Sequence, residues 1–308
     1  MKCVILAAGK GSRLYPVTYV VPKPLLPLAN RPTLEYAFDR IREVGISETC
    51  LVVGENEAQM KEALGDGSRY GLKLSYVRQS EPKGLAHAVS FAKDFVDGDS
   101  FLLYLGDAIY SEGFGKFRQR FEESGCANLN VVQPVEDPRR YGVANTEGER
   151  IVKLVEKPQT PESNLAMAGT YFFGPQLWKV LPDLQPSGRG EYEITDAIQL
   201  MIDRGETVLA GVYEGKWFDT GTLDSFLEVS RFLTGNKPLV EGKASGEIRD
   251  GVVIGAGAEV ECEWIQDSVI LPGAKIKACG PINHSILGGE VRRSEPIENV
   301  ILHGDYSL

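Results

Sequence analysis

The strongest constraint on this chain is an apolar run near its start, Val4 to Ala8, that stops at Gly9. A strand that is hydrophobic at every residue must be covered on both faces, which places it inside a largely parallel α/β sheet. Next come Gly9-Lys10-Gly11-Ser12-Arg13. The glycines allow a sharp turn and bring backbone amides close to a ligand, while Ser12 and Arg13 add a hydroxyl and a fixed cationic fork. The segment is a candidate phosphate cradle. Spacing excludes two other cradles: a dinucleotide fingerprint needs a third glycine where Leu14 stands, and no Gly-x-x-x-x-Gly-Lys-Ser/Thr is present.

The rest of the chain alternates strand and helix signals. Leu34, Ala37, Phe38, Ile41 and Val44 recur at helical spacing after Pro32 and end at Gly45. Short apolar runs at Cys50–Val53, Leu72–Val77, Phe101–Leu105, Asn128–Pro134, Ala166–Phe173 and Val208–Tyr213 read as strands. Ile151–Val155 alternates, as an edge strand would. Gln59–Leu64 fits a brief helix. The expected fold is α/β, a doubly wound, mostly parallel sheet with ligands at the carboxyl ends of its strands.

Past the last of these strands the texture changes. Gly235 to Ala244 reads as a linker from its glycines and Pro238. Beyond it Ile254-Gly-Ala-Gly-Ala-Glu-Val260 recurs as Ile270-Leu-Pro-Gly-Ala-Lys-Ile276, then more loosely at Leu287 and Ile301, in a register of about sixteen residues. Such a repeat predicts a short left-handed parallel β-helix. The expected division is 1–234 for the α/β domain, 235–244 for the linker and 245–308 for the coils.

Charge narrows the function. A formal charge of −10 argues against general nucleic-acid binding, and an anionic ligand would have to be attracted by a local group of cations and amides, with a divalent metal as a further aid. Five scattered cysteines without a Cys-x-x-Cys indicate neither a zinc site nor a disulfide framework. No secretory or membrane-spanning stretch is read, so a cytoplasmic location is expected. Asp107, after Phe101–Leu105 and Gly106, is a carboxylate at a strand end, the donor type that Mg2+ takes beside substrate phosphates. His87, alone in a helical stretch, reads as packing or surface.

The run Leu6-Ala-Ala-Gly-Lys-Gly-Ser-Arg13 with Pro22-Lys23-Pro24, and then Gln79, Gly84, Asp107, Tyr141-Gly142, Glu156-Lys157, Arg189 and Asp219, resembles the sugar-1-phosphate nucleotidyltransferases. The likeness is to the glucose-1-phosphate thymidylyltransferase and uridylyltransferase type, in its long form with C-terminal coils, and covers nearly the whole chain. It implies that Leu6, Ala8, Gly9, Gly11, Ser12 and Arg13 wrap the triphosphate and that Lys23 binds phosphate nearby. Gln79 would read a pyrimidine through its amide, with Gly84 letting the helix start approach base and sugar. Tyr141, Gly142, Glu156, Gly169 and Tyr171 would surround the sugar, Lys157 and Arg189 its phosphate, and Asp107 with Asp219 would hold Mg2+. The chain departs from the family pattern at Ala8, Ser12 and Ala108, where relatives often carry glycine, threonine and asparagine. The implied reaction joins dTTP or UTP to a hexose 1-phosphate and releases pyrophosphate, with Arg13, Lys23, Lys157 and Arg189 as the catalytic cations. A homo-oligomer is expected. A non-catalytic sensor of nucleotide sugars and a bifunctional enzyme whose coils also transfer acetyl, using His284 or His303, are the alternatives.

Overall fold

In a computed structural model that describes residues 1–304, the first apolar run becomes β1, Lys2–Ala7, inside a nine-stranded sheet. The other strands are β2 (Glu48–Val53), β3 (Lys73–Arg78), β4 (Phe101–Leu105), β5 (Asn128–Pro134), β6 (Gly142–Glu147), β7 (Arg150–Glu156), β8 (Leu165–Phe173) and β9 (Val208–Val212). Their order is β3-β2-β1-β4-β8-β5-β9-β7-β6. The chain divides into two compact units, residues 1–9 with 36–217, and residues 10–35 with 218 onward.

The sheet of the first unit is mixed, which corrects the expectation of a mostly parallel one. β3, β2, β1 and β4 run parallel, and β9 runs parallel to β5. β8, inserted between β4 and β5, is antiparallel to both, and β7 is antiparallel to β9 and β6. Strand direction leaves no mark in the sequence of a strand buried on both faces, and Ala166 through Phe173 are all buried. β7 is also not an edge: β9 and β6 flank it, and β6 pairs in turn with the start of β8. Gly169 lies where the β8–β5 register shifts, at φ +83°, a left-handed conformation that glycine adopts without penalty.

The core of this unit joins Val4, Val52, Phe101, Leu103 and Phe173 of the sheet to Ala88, Val89 and Ile198 of the helices. Each fully buried Val, Leu, Ile or Phe contributes roughly 1.5–3 kcal/mol. The helix Ile194–Asp203 buries Ile194, Ala197, Ile198 and Met201 along one face, the spacing expected of an amphipathic helix. Helix Thr33–Glu43 matches its periodic stretch and stops two residues before Gly45, at φ +70°.

In the second unit parallel strands stack on the sequence repeat. Ile254 lies opposite Ile270 and Ile270 opposite Leu287. Val260, Ile276 and Val291 form another column, and Ile265, Ile282 and Ile297 a third. These columns make one apolar core. The stretch expected as a linker is part of this stack: Leu239–Val240 pairs in parallel with Val253–Ile254, and Lys243–Ile248 with Glu259–Ile265. Of its glycines, Gly235 caps the helix Leu223–Thr234 at φ +61° and Gly242 lies between the two strands. Helix Leu223–Thr234, capped by Thr222 and Ser225, and residues 10–35 belong to the same unit, where Asn30 Nδ2 donates to the carbonyl of Ile254 at 3.1 Å.

Candidate functional site

In the first unit, β1 delivers buried Leu6 and half-buried Ala8 to exposed Gly9. A side chain at Gly54, after β2, would come within 2.9 Å of the Ala8 carbonyl, so Gly54 lets the two strand ends close together. Gln79 follows β3, is 8% exposed, and its N–H donates to the Val53 carbonyl at 2.8 Å. Its Nε2 lies 3.1 Å from His87 Nδ1 and 3.5 Å from the Gly84 carbonyl oxygen. Gly84 has φ +104°, and a Cβ there would fall 2.5 Å from the Tyr192 oxygen. Tyr192 clamps this turn by donating to the Lys83 carbonyl at 2.8 Å and accepting from the Ala86 N–H at 3.0 Å. Burial, then the Lys83 charge, lowers the proton affinity of His87 below the ordinary value.

The sugar-side residues lie in the same unit. Glu156 ends β7 and accepts from Thr195 Oγ1 at 2.6 Å, with Lys157 Nζ at 3.3 Å and Arg189 Nη2 at 3.8 Å. Lys157 has φ +43° and donates its N–H to the Tyr141 carbonyl at 3.0 Å. A lysine in that conformation costs roughly 1–3 kcal/mol, strain of the kind that collects at functional sites. Arg189 Nε and Nη2 donate to Glu193 Oε1 at 3.1 and 2.7 Å, and Ser187 Oγ donates to the same oxygen at 3.0 Å. The Glu193 side chain is 4% exposed and that of Arg189 42%, so a buried carboxylate aims a guanidinium at the surface. Nearby Asp196 has its pKa raised by burial and then by the Glu193 and Glu156 charges.

A Cβ on Gly142 would meet Thr195 Oγ1 at 2.8 Å, Met167 Sδ at 2.9 Å and Glu156 Oε2 at 3.2 Å, so glycine is what admits the Glu156–Thr195 pair. Tyr141 meets Trp217 edge to face at 5.1 Å. Tyr171 is 3% exposed, and burial, then the Glu156 charge, raises its pKa. Asp107 is half-buried in the turn between β4 and the strand Ala108–Tyr110, beside Gly106, whose N–H donates to the Leu6 carbonyl at 3.0 Å. The carbonyl of Ala108 accepts from Tyr104 at 2.8 Å.

The remaining predicted residues are in the second unit. Gly11 has φ +64° and precedes a short 3-10 turn, Ser12–Leu14, with Ser12 and Arg13 exposed. Gly9 has no such positive φ and open space around it, so of the two loop glycines only Gly11 is demanded by the backbone. Thr18 Oγ1 donates to the Gly11 carbonyl at 2.9 Å. A Cβ at Gly11 would lie 3.0 Å from the Cβ of Lys23, which is 9% exposed. A Cβ at Gly221 would fall 2.5 Å from Arg13 Nη2 and 2.9 Å from Asp219 Oδ1, so both groups close around that glycine. Among the described residues no group of three or more His, Cys, Asp or Glu gathers as a metal site.

The family model described as nucleotidyl transferase matches residues 2–236, a span that contains every candidate site residue. The chain belongs to this family. The transferase is 35% identical to a glucose-1-phosphate thymidylyltransferase of Streptomyces griseus, an alignment covering 100% of this chain and 98% of the relative. It is 39% identical to the UTP–glucose-1-phosphate uridylyltransferase AglF of Haloferax volcanii, over 72% of this chain and 91% of the relative. A crystal structure from Bacillus anthracis in complex with sucrose, assigned as a glucose-1-phosphate thymidylyltransferase, superposes with a TM-score of 0.72 at 32% identity, over 79% of this chain and 98% of that one.

The geometry adds residues that motif reading passed over. Glu193 orients Arg189 across a turn that precedes the helix Ile194–Asp203, where no helical spacing signals the pair. Thr195 fixes Glu156 from a helix distant in sequence. Gly221 makes room for Arg13 and Asp219. His87 does pack, edge on to Phe91 at 5.0 Å and stacked on Tyr192 at 6.2 Å, and it also bonds Gln79.

Proposed function

We propose that this transferase moves a nucleotidyl group from dTTP or UTP to glucose 1-phosphate or a related hexose 1-phosphate, giving a dTDP- or UDP-sugar and pyrophosphate. The observation that carries this reading is the cluster of Glu156, Lys157 and Arg189, held by Thr195 and Glu193. Carboxylate acceptors beside two cations suit a ligand that is sugar at one end and phosphate at the other. The names of the Streptomyces griseus and Haloferax volcanii relatives point to the same substrates.

In this reading an oxygen of the sugar phosphate attacks the α-phosphorus in line, and the bond from that phosphorus to the pyrophosphate oxygen breaks. No protein nucleophile is required. Lys157 and the Nη1 edge of Arg189 hold the attacking phosphate, while Glu156 accepts from sugar hydroxyls, with Tyr141, Gly142, Gly169 and Tyr171 around the ring. Arg13, Ser12 and the amides from Ala8 through Gly11 hold the triphosphate, with Lys23 at the reacting phosphates. Gln79 and Gly84 face the nucleobase and its sugar, and Leu6 leads into the loop that wraps the triphosphate.

Asp107 and Asp219 are the carboxylates that would hold Mg2+. A pair of carboxylates suits an ion that keeps its other positions for water and substrate phosphates. When bound, the ion would neutralise charge on the phosphates. The stacked parallel strands of the second unit fit a left-handed β-helix whose first strand is Leu239–Val240, after a transferase domain near 1–234. We assign it to assembly of a homo-oligomer, and the protein to the cytoplasm; no helix among the described residues is long and apolar enough to cross a membrane. His284 has both ring nitrogens against carboxylates, Asp267 at 2.5 Å and Asp224 at 2.7 Å, which speaks against its use as an acetyl-transfer base.

The test is pyrophosphate release measured over a matrix of five nucleoside triphosphates and several sugar 1-phosphates. Turnover confined to dTTP or UTP with a hexose 1-phosphate is the expected outcome. Release with none of the pairs would refute the assignment.

A further inference from the structure

A side-chain amide can face a nucleobase in either of two ways, and only one of them recognises uracil or thymine. These bases carry an N–H at N3 and need an acceptor there, whereas N3 of cytosine is itself an acceptor. An amide free to turn over would serve both classes. What distinguishes them is whatever fixes the amide from behind.

In this chain the Gln79 amide nitrogen lies within reach of two protein atoms, His87 Nδ1 at 3.1 Å and the Gly84 carbonyl oxygen at 3.5 Å. With the His87 proton on Nε2, the amide turned over would set its oxygen against a lone pair on each. Among the described residues no protein donor has a hydrogen bond to Gln79 Oε1, the atom left for a ligand. The amide therefore offers an acceptor alone, in place of the paired donor and acceptor expected from its residue type.

The acceptor behind it is itself held in place. His87 lies between Phe91, edge on at 5.0 Å, and Tyr192, stacked at 6.2 Å. Tyr192 is tied by its backbone to Lys83 and Ala86 on either side of Gly84. Burial and the Lys83 charge, only partly offset by Glu81, disfavour a second proton on the ring, and in the neutral imidazole that carries its proton on Nε2 the Nδ1 atom is an acceptor.

We propose that His87 is the positioning residue that sets the Gln79 amide, presenting Oε1 so that the site takes pyrimidines bearing an N3–H and rejects cytosine. The proposal rests on reading Gln79 as the residue that meets the nucleobase. Rejection comes from two facing acceptors, Oε1 and cytosine N3, which no water can separate at contact distance.

The test uses the full chain with glucose 1-phosphate and compares kcat/KM for UTP with that for CTP. His87→Leu keeps the side chain's bulk and loses the acceptor; it should lower the UTP-to-CTP ratio about tenfold or more and leave the KM for glucose 1-phosphate unchanged. His87→Asn, whose Oδ1 replaces Nδ1 at the same branch, should restore the ratio, which a purely structural role would not require. Gln79→Leu is the control for the underlying reading and should also collapse the ratio. If Gln79→Leu collapses it and His87→Leu does not, the positioning role is overturned while Gln79 stands as the base reader. A ratio unmoved by Gln79→Leu, or a wild-type enzyme that uses CTP as well as UTP, overturns both.

Discussion

Glu193→Gln separates the orienting of Arg189 from its charge. The substitution keeps the shape of the side chain and an oxygen at Oε1, where Arg189 Nε, Arg189 Nη2 and Ser187 Oγ all converge at 2.7 to 3.1 Å. Hydrogen bonds with a charged partner contribute roughly 1.5–3 kcal/mol, and with Gln the two Arg189 bonds keep the guanidinium charge but lose the carboxylate's, a loss of about 2 kcal/mol in a dry site. Arg189 is 42% exposed and its charge is screened by water, which reduces the expected loss to about 1 kcal/mol. For a unit of this size that corresponds to a fall in Tm of about 2–4 °C. A similar loss of preorganisation at the attacking phosphate should raise the KM for glucose 1-phosphate about fivefold while leaving the KM for the triphosphate near its wild-type value. Pyrophosphate release with each substrate varied in turn, alongside a thermal melt, gives both readings. An equal rise in both KM values, or a lowered Tm with the sugar-phosphate KM unmoved, would refute the orienting role.

Gly142→Ala should both destabilise and disable, because the new Cβ must displace Thr195 Oγ1 or Glu156 Oε2; overpacking costs about 1–3 kcal/mol, and a melt combined with the KM for glucose 1-phosphate checks it. Asp107→Asn and Asp219→Asn should each abolish Mg2+-dependent turnover with an unaltered circular dichroism spectrum, and near-normal activity at any Mg2+ concentration would remove that residue from the proposed metal site. Partial burial lowers the proton affinity of His284, but its bonds to Asp224 and Asp267 outweigh this and raise the pKa above the ordinary value. A raised histidine pKa contributes stability that is complete below about 6.5, the unfolded value, and is lost as pH rises through the folded value. The melting temperature of the coil unit should therefore fall across that interval, and His284→Asn, which tolerates the φ of +45° at this position, should flatten the dependence.

Local physics made much of this protein legible from residues alone. The continuous run Val4–Ala8 had to be a buried strand, the glycines after it a turn, and the spacing of Leu34 to Val44 a helix, because burial period and backbone freedom are properties of neighbouring residues. The repeat of Ile254, Ile270 and Leu287 was equally visible, since stacking places like residues above one another. Strand direction was not visible: Leu165–Phe173 is mostly apolar and buried on both faces and would read the same parallel or antiparallel, so only the tertiary structure shows it running against both neighbours. The stretch 235–244 looked like a linker because coil turns and linkers use the same residues, and pairing with Val253 and beyond distinguishes them. Site chemistry divides in the same way. A strand-end Glu-Lys pair can be read off the chain, whereas the side chains that aim it, Thr195 on Glu156 and Glu193 on Arg189, come together only when a later helix packs on the sheet. Gln79 was legible as an amide suited to a pyrimidine, but which of its two ends is free depends on His87 and Gly84, and hydrogen-bond direction is decided only by what the fold places opposite it.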